Sequence, residues 1–499
     1  MIKKHLKPFE IYLNSLPGNE KYAVMNFMTD LLKHLSLSSS DRDFMVNDFE
    51  KMFIYYSSIK VSTDEAIQRL SISNLKGFYQ RPSVAWYPLD NAAKIYPLSM
   101  KKNQMALFRI SVYLKDEVIP AVLQMALNFI IKRFPSFAAT LKSGFFWHYL
   151  SATKKHYQVQ KEEDVPCKPM RLSRNYSQAF RVLYYNNRIS VEFFHILTDG
   201  NGALIFLKTL IHEYFKLLGK NAEISEGIFD INEPSSSFEV QNEFHHYAKK
   251  VKKISGFKYS PSIQMSGRLS PIRPCQILNF KMDLNELVKV SKKYGGTVTA
   301  YLLSLIFIAS KNATDENKGI IRIQVPVNMR KFFPSQTILN FSMFAGIELP
   351  IEKITTPAQM MEDIVQQLKE KCSIVPMTDM LNTTEFMVNS LRYVPLLIKN
   401  PIAHLVYGFM NDKTYTNTIS NLGVVTLPKE IQDEVLSFDF MLGTAITNRI
   451  SCGLISYKNV ATLSITKMTA DSTFEENMYE LLIKDGIEEK IEGSPVYGN

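Results

Sequence analysis

The sequence predicts an α/β (α+β) protein: two sandwich lobes of mixed strand and helix, preceded by a small helical segment over residues 1–82. Three observations carry this expectation. The chain has 499 residues, 46% of them hydrophobic, more than one core of ordinary size accommodates. Strand-like and helix-like hydrophobic periods alternate from residue 83 onward. The alternation is broken by residues 220–276, a stretch rich in Ser, Pro and charge that suits a crossover between halves. The lobes are accordingly placed at 83–268 and 269–499.

The elements follow in order. "NEKYAVMNFMTDLLKHLSL" has helical spacing, and "STDEAIQRL" carries a capping box in Ser62 and Glu65. No chemistry suggests itself before residue 80, and this segment reads as an appendage or docking surface. "QMALFRISVYL" (104–114) is strand-like. "EVIPAVLQMALNFIIKRF" (117–134) is a helix with Pro120 in its first turn, where a missing N–H costs little. "SFAATLKSGFFWHYL" suggests more strand, and "RISVEFFH" (188–195) an almost wholly buried one. "GALIFLKTLIHEYFKLLG" (202–219) is an amphipathic helix stopped by Gly219. The second half repeats the scheme. Strand "QILNFKM" and helices "DLNELVKVSKKYG" and "TVTAYLLSLIFIASKN" come first. Strands "IIRIQVPV" and "ILNFSMFAGIELP", helices over 357–372 and 376–400, and strand "TYTNTIS" follow. The pair "ISCGLISY" and "VATLSITKM" precedes a last helix.

Composition excludes several classes. Lys+Arg 58 against Asp+Glu 48 leaves a net charge of +10, but only short basic clusters such as Lys249–Lys250 and Lys252–Lys253, so no nucleic-acid partner is expected. The excess suits a solvated surface, a phosphorylated ligand or peripheral contact with a membrane. Cys167, Cys275, Cys372 and Cys452 lie far apart and read as reduced thiols, neither disulfide framework nor metal site. "MIKKHLKPFEIYLNSLP" lacks an apolar h-region, and "TVTAYLLSLIFIA" falls short of the ~20 residues needed to span a bilayer. A cytoplasmic monomer is the expectation.

"VEFFHILTDGNG" (191–202) carries the chemistry. A strand that ends on His195 can deliver an imidazole, the side chain best suited to neutral-pH proton transfer, to a crevice. Asp199 can lock the following turn by pairing with an arginine, and Gly200 permits a tight bend and close ligand approach. Against this stands a satisfied core or surface histidine with incidental neighbours. His212 and Glu213 have no second histidine at zincin spacing, and His245–His246 read as solvated.

"HILTDG" (195–200) resembles the HxxxDG signature of the chloramphenicol acetyltransferase-like superfamily of CoA-dependent acyltransferases, which includes condensation domains and alcohol acetyltransferases. Further stretches resemble it in order: "YPLDNAAKIYP" (87–97), "RFPSF" (133–137), "VPVNMR" (325–330), "LNFSMF" (339–344) and "SNLG" (420–423). The resemblance is closest to the bacterial alcohol acetyltransferase-like branch. It implies two chloramphenicol acetyltransferase-like subdomains with an interdomain tunnel. It implies transfer of an acyl group from acyl-CoA, as co-substrate and not a bound cofactor, to a small alcohol or amine. His195 is the implied general base, with Asp199 and Gly200 completing the motif and Asp199 paired structurally with Arg330. Asn340, Ser342, Ser420 and Asn421 are candidate oxyanion or substrate contacts. No metal is required. "RFPSFAATL" lacks the second arginine of condensation domains, and the DFGWG motif of the plant branch is absent. A carrier-protein-fed condensation relative and a catalytically degenerate binding protein are the alternatives.

Overall fold

The computed structural model describes residues 7–75, 84–99, 105–170, 178–251, 260–399, 414–443 and 448–497. The expected boundary at 82/83 and the pair Lys252–Lys253 lie outside the described residues, and the helix expected over 376–400 ends at Ser390, where a turn over 391–394 follows.

Four helices open the chain: α1 (Pro8–Ser15), α2 (Gly18–His34), α3 (Ser39–Ser58) and α4 (Thr63–Arg69). Ser62 caps α4 by accepting from the Glu65 amide at 3.3 Å. These helices are not the appendage that the sequence suggested. Phe49 meets Phe129 at 6.3 Å, and Asp48 accepts from Asn128 Nδ2 at 2.9 Å and lies 2.6 Å from His156 Nε2. Tyr56 and Arg69 both donate to the Leu217 carbonyl, at 2.8 and 3.1 Å. Their apolar faces are continuous with the core of the first lobe, which is where amphipathic helices of this composition find burial.

The first lobe adds β1 (Trp86–Pro88), α5 (Tyr96–Ser99), β2 (Leu107–Leu114), α6 (Pro120–Ile130), β3 (Ala139–Ser143) and β4 (His148–Ala152). Strands β5 (Val159–Lys161), β6 (Phe180–Tyr185) and β7 (Arg188–Phe194) precede α7 (Gly200–Leu217). Both faces of β7 are buried, but they differ. Ile189, Val191 and Phe193 join the apolar core, whereas Ser190 and Glu192 face a polar layer.

The second lobe contains α8 (Glu243–Tyr247), β8 (Gln276–Asp283), α9 (Leu284–Lys293), α10 (Val298–Asn312), β9 (Ile320–Asn328) and β10 (Ser342–Pro350). Helices α11 (Pro357–Lys371) and α12 (Ile374–Ser390) precede β11 (Asn417–Val425) and β12 (Val435–Leu442). The chain closes with β13 (Ile450–Tyr457), β14 (Val460–Lys467), α13 (Thr473–Lys484) and β15 (Glu489–Gly493).

The seven-stranded sheet of this lobe has the order β10-β9-β11-β13-β14-β8-β15. The five-stranded sheet of the first lobe runs β12-β2-β7-β6-β5. Strand β12 thus leaves the segment 269–499 to pair antiparallel with β2, so one strand crosses the expected division at 268/269. Its alternation explains the placement: Phe438 and Phe440 complete the apolar core of the first lobe, and Asp439 joins the polar face.

Candidate active site

β7 stops where the His195 amide donates to the Ala106 carbonyl at 2.9 Å, the last rung shared with the β2 side. The Leu197 amide then turns back to the Phe194 carbonyl at 3.0 Å. Thr198 Oγ1 ties the turn to the second lobe by donating to the Ile338 carbonyl at 2.6 Å. Helix α7 begins at Gly200, two residues earlier than expected, because Asp199 is its N-cap.

All four strong acceptor directions of Asp199 are used. Oδ1 accepts from the amides of Asn201 and Gly202 at 3.1 and 3.2 Å. Oδ2 accepts from Arg330 Nη1 at 2.7 Å and from the Phe341 amide at 2.9 Å. The Arg330 guanidinium also donates to the carbonyls of Thr337 and Leu339 and to Asn328 Oδ1. One ion pair therefore bolts the helix of the first lobe to the loop before β10 in the second. Asp199 is committed to this latch and acts on the imidazole through its charge alone.

The glycines serve contact between elements, not a turn. A Cβ on Gly200 would stand 2.6 Å from Leu422 Cδ2, at the bulge of β11. A Cβ on Gly202 would stand 2.2 Å from both the Ile338 carbonyl oxygen and Thr198 Oγ1. Gly202, which the motif reading did not single out, is the stricter requirement, because a backbone carbonyl cannot swing away.

The ring of His195 is half-buried between Tyr96, stacked at 4.9 Å, and Phe108 at 4.7 Å. Its Nδ1 lies 3.0 Å from Asn340 Oδ1. The orientation of that carboxamide is set elsewhere: Asn340 Nδ2 donates to the His195 carbonyl at 2.8 Å and to Asp90 Oδ2 at 3.0 Å. With Nδ2 so engaged, Oδ1 can only accept, which places the proton on Nδ1 and the lone pair on Nε2. Burial holds the imidazole pKa below its ordinary value, partly opposed by Asn340 and Asp199. The ring is neutral at neutral pH. Asp90 is itself buried and accepts from the Ala93 and Asn340 amides at 2.7 and 3.2 Å; burial pushes its pKa up to about 6.

This arrangement revises one expected role. Both amide hydrogens of Asn340 are occupied, so it positions His195 and is not free to donate to an oxyanion. Ser342 opens β10 opposite Asn328, and Ser420 is buried in β11 opposite Gly453. Asn421 is exposed, donating to Thr299 Oγ1 at 3.1 Å and accepting from the Gly423 amide at 2.8 Å. The side chain that meets His195 Nδ1 is that of Asn340 and none of these three. Arg133 of "RFPSF" pairs both its terminal nitrogens with Glu239 at 2.6 and 2.7 Å, a tether for the crossover. His245 is exposed, as expected, with its Nδ1 2.7 Å from Glu385 Oε1, and His212 Nε2 lies 3.0 Å from the Ala222 carbonyl. Asp90, Tyr96 and Phe108 were not foreseen as site residues, although "YPLDNAAKIYP" contains two of them. Among the described residues no group of three or more His, Cys, Asp or Glu is gathered as a metal site, and no helix is long and apolar enough to cross a membrane.

No protein-family model matches the sequence, and no curated protein matches it. Solved structures do match the fold. TRI101 from F. graminearum, solved with coenzyme A and deoxynivalenol, has a TM-score of 0.55 at 10% identity, covering 81% of this chain and 100% of that one. Polyketide synthase associated protein 5 from Mycobacterium tuberculosis gives 0.54 at 12%, covering 80% and 98%. The starter condensation domain of rhizomide synthetase RzmA, solved with C8-CoA and Leu-SNAC, gives 0.53 at 10%, covering 81% and 95%. The chain therefore has the two-lobed chloramphenicol acetyltransferase-like fold that acetyltransferases and condensation domains share.

Proposed function

We propose that the chain is a CoA-dependent acyltransferase acting on a hydroxyl, or less favourably an amine, with His195 as general base. The observation that carries this reading is the Asp90–Asn340–His195 chain, which orients a neutral imidazole with its lone pair on Nε2. The acceptor's oxygen attacks the thioester carbonyl as its proton passes to Nε2. Collapse of the tetrahedral oxyanion expels the CoA thiolate, which takes that proton from Nε2 and leaves the histidine neutral again. Positioned proton transfer of this kind contributes roughly 10²–10⁴ in rate. Asp199 and Arg330 hold the two lobes at the separation that this geometry needs.

TRI101 with coenzyme A and an alcohol-bearing acceptor supports a CoA donor, and the RzmA domain with C8-CoA keeps a condensation relative as the second reading. Free-thiol release from acyl-CoA with a panel of alcohols and amines tests the proposal. Turnover that disappears in His195→Ala, with the fold intact, supports it. Turnover unchanged in that variant removes His195 from the mechanism. Reaction only with acyl groups on a carrier protein favours the condensation reading, and no reaction with either donor leaves a binding protein.

A further inference from the structure

The five-stranded sheet has a second chemical face. On β2, Phe108, Ile110 and Val112 lie in the apolar core, and the His195 ring touches Phe108. Arg109, Ser111 and Tyr113 point to the opposite face. There Arg109 pairs with Glu162 at 2.6 Å and Glu192 at 3.2 Å, Arg181 pairs with Glu192, and Arg188 pairs with Glu162 at 2.8 Å. A cavity of about 270 Å³ opens beside this network. Its wall includes Arg188, Tyr113 and Asp439 from the first sheet, Asn279 of β8, and Tyr497 of the C-terminal tail. It is far larger than the ~30 Å³ share of a single water. It lies at the Arg188 end of β7, whereas His195 follows the other end, roughly 20 Å away at ~3.3 Å per strand residue.

Three polar atoms on this wall are buried without a partner in the chain: Asp439 Oδ1, Asn279 Oδ1 and Arg188 Nε. Asp439 and Asn279 are more than nine-tenths buried, at 6% and 8% exposure. The second oxygen of Asp439 already accepts from Tyr113 at 2.8 Å, so the first is the one left over. A buried polar atom with no partner is destabilising by about 1–3 kcal/mol, and a wall that retains two acceptors and a donor is shaped for something that satisfies them. Most charges of the wall are already spent on partners. Glu162 pairs with Arg109 and Arg188, and Glu492 with Lys281 at 2.7 Å from outside the wall. What is left over is two acceptor oxygens and one N–H. A hydroxyl both donates and accepts, and carries no charge.

We infer that this cavity is a binding site for a small neutral polyhydroxylated molecule, of monosaccharide or cyclitol size, separate from the site at His195. Hydroxyls donate to Asp439 Oδ1 and Asn279 Oδ1, one accepts from Arg188 Nε, and the tyrosine rings cover the apolar face of the ligand.

The test uses the full chain, titrated by calorimetry with glucose, myo-inositol and glycerol, and in parallel with glycine and inorganic phosphate. At least one of the polyols is expected to bind saturably and to raise the Tm. Asn279→Leu and Asp439→Asn are expected to weaken that binding at least tenfold, and His195→Ala to leave it unchanged. Asn279→Leu removes an unpartnered buried amide and keeps the backbone ladder of β8, so it carries the test if Asp439→Asn fails to fold; Tyr497→Ala is the third variant. Absence of saturable polyol binding up to tens of millimolar overturns the inference. So does binding that survives these substitutions, or saturable binding of glycine or phosphate alone.

Discussion

The carboxamide of Asn340 and the imidazole of His195 hold each other at two points: Nδ1 to Oδ1 at 3.0 Å, and Nδ2 to the His195 carbonyl at 2.8 Å. The two residues belong to different lobes and lie 145 positions apart. Removing the carboxamide frees the tautomer and the ring orientation together. Asn340→Ala is expected to lower kcat about 10–100-fold with a smaller change in KM, within the range that positioned base catalysis supplies. Steady-state kinetics on an active acyl-CoA and acceptor pair checks this; a KM effect without a kcat effect assigns Asn340 to binding instead.

Burial places the His195 pKa below its ordinary value near 6.5. In the proposed mechanism the unprotonated imidazole is the active form, so kcat/KM should rise through a midpoint below about 6.5 and stay level above it. A pH–rate profile with its midpoint above 7 contradicts a neutral resting imidazole.

Asp90 gives an independent pH signature in stability. Its folded pKa of about 6 stands above the ordinary 3.8, so the folded chain binds the proton more tightly than the unfolded one. The stabilisation from that protonation is fully present below about 3.8 and is lost as pH rises through about 6. Denaturant unfolding at a series of pH values should show this fall, and Asp90→Asn should remove it within that window.

Asp199 and Arg330 form an enclosed pair at 2.7 Å, both mostly buried. Asp199→Asn leaves a buried guanidinium without its carboxylate and should destabilise the protein by about 3–5 kcal/mol. Arg330→Ala should have a comparable effect, and the double variant should be less destabilised than the sum of the two. Chemical denaturation measures the coupling; strict additivity denies the latch.

The two glycines in the first turn of α7 should differ in rank. At Gly200 the added methyl meets the end of a leucine side chain, which can rotate, whereas at Gly202 it meets a backbone carbonyl. Gly202→Ala should therefore lower the Tm by more than Gly200→Ala. The reverse order removes the argument that the Ile338 carbonyl seats against the helix.

Much of this was legible locally. The buried run ending at His195, the strand pair 450–457 and 460–467, and the helix from Val298 follow from hydrophobic period and capping residues alone. The loop Leu339–Phe341 was not: its apolar residues read as the start of a strand, but the Phe341 amide and carbonyl are taken by Asp199 and Met329, so β10 begins at Ser342. That displacement is what leaves Asn340 facing His195.

The sequence by itself determined the period of each element and the presence of an imidazole at a strand end, because these depend on residues within a few positions of one another. Only the tertiary structure decided that β12 would complete the sheet of the other lobe and that Asp90, not Asp199, would orient the His195 ring through Asn340. Those outcomes depend on which surfaces remain to be covered once the lobes meet, a property of no single stretch of chain.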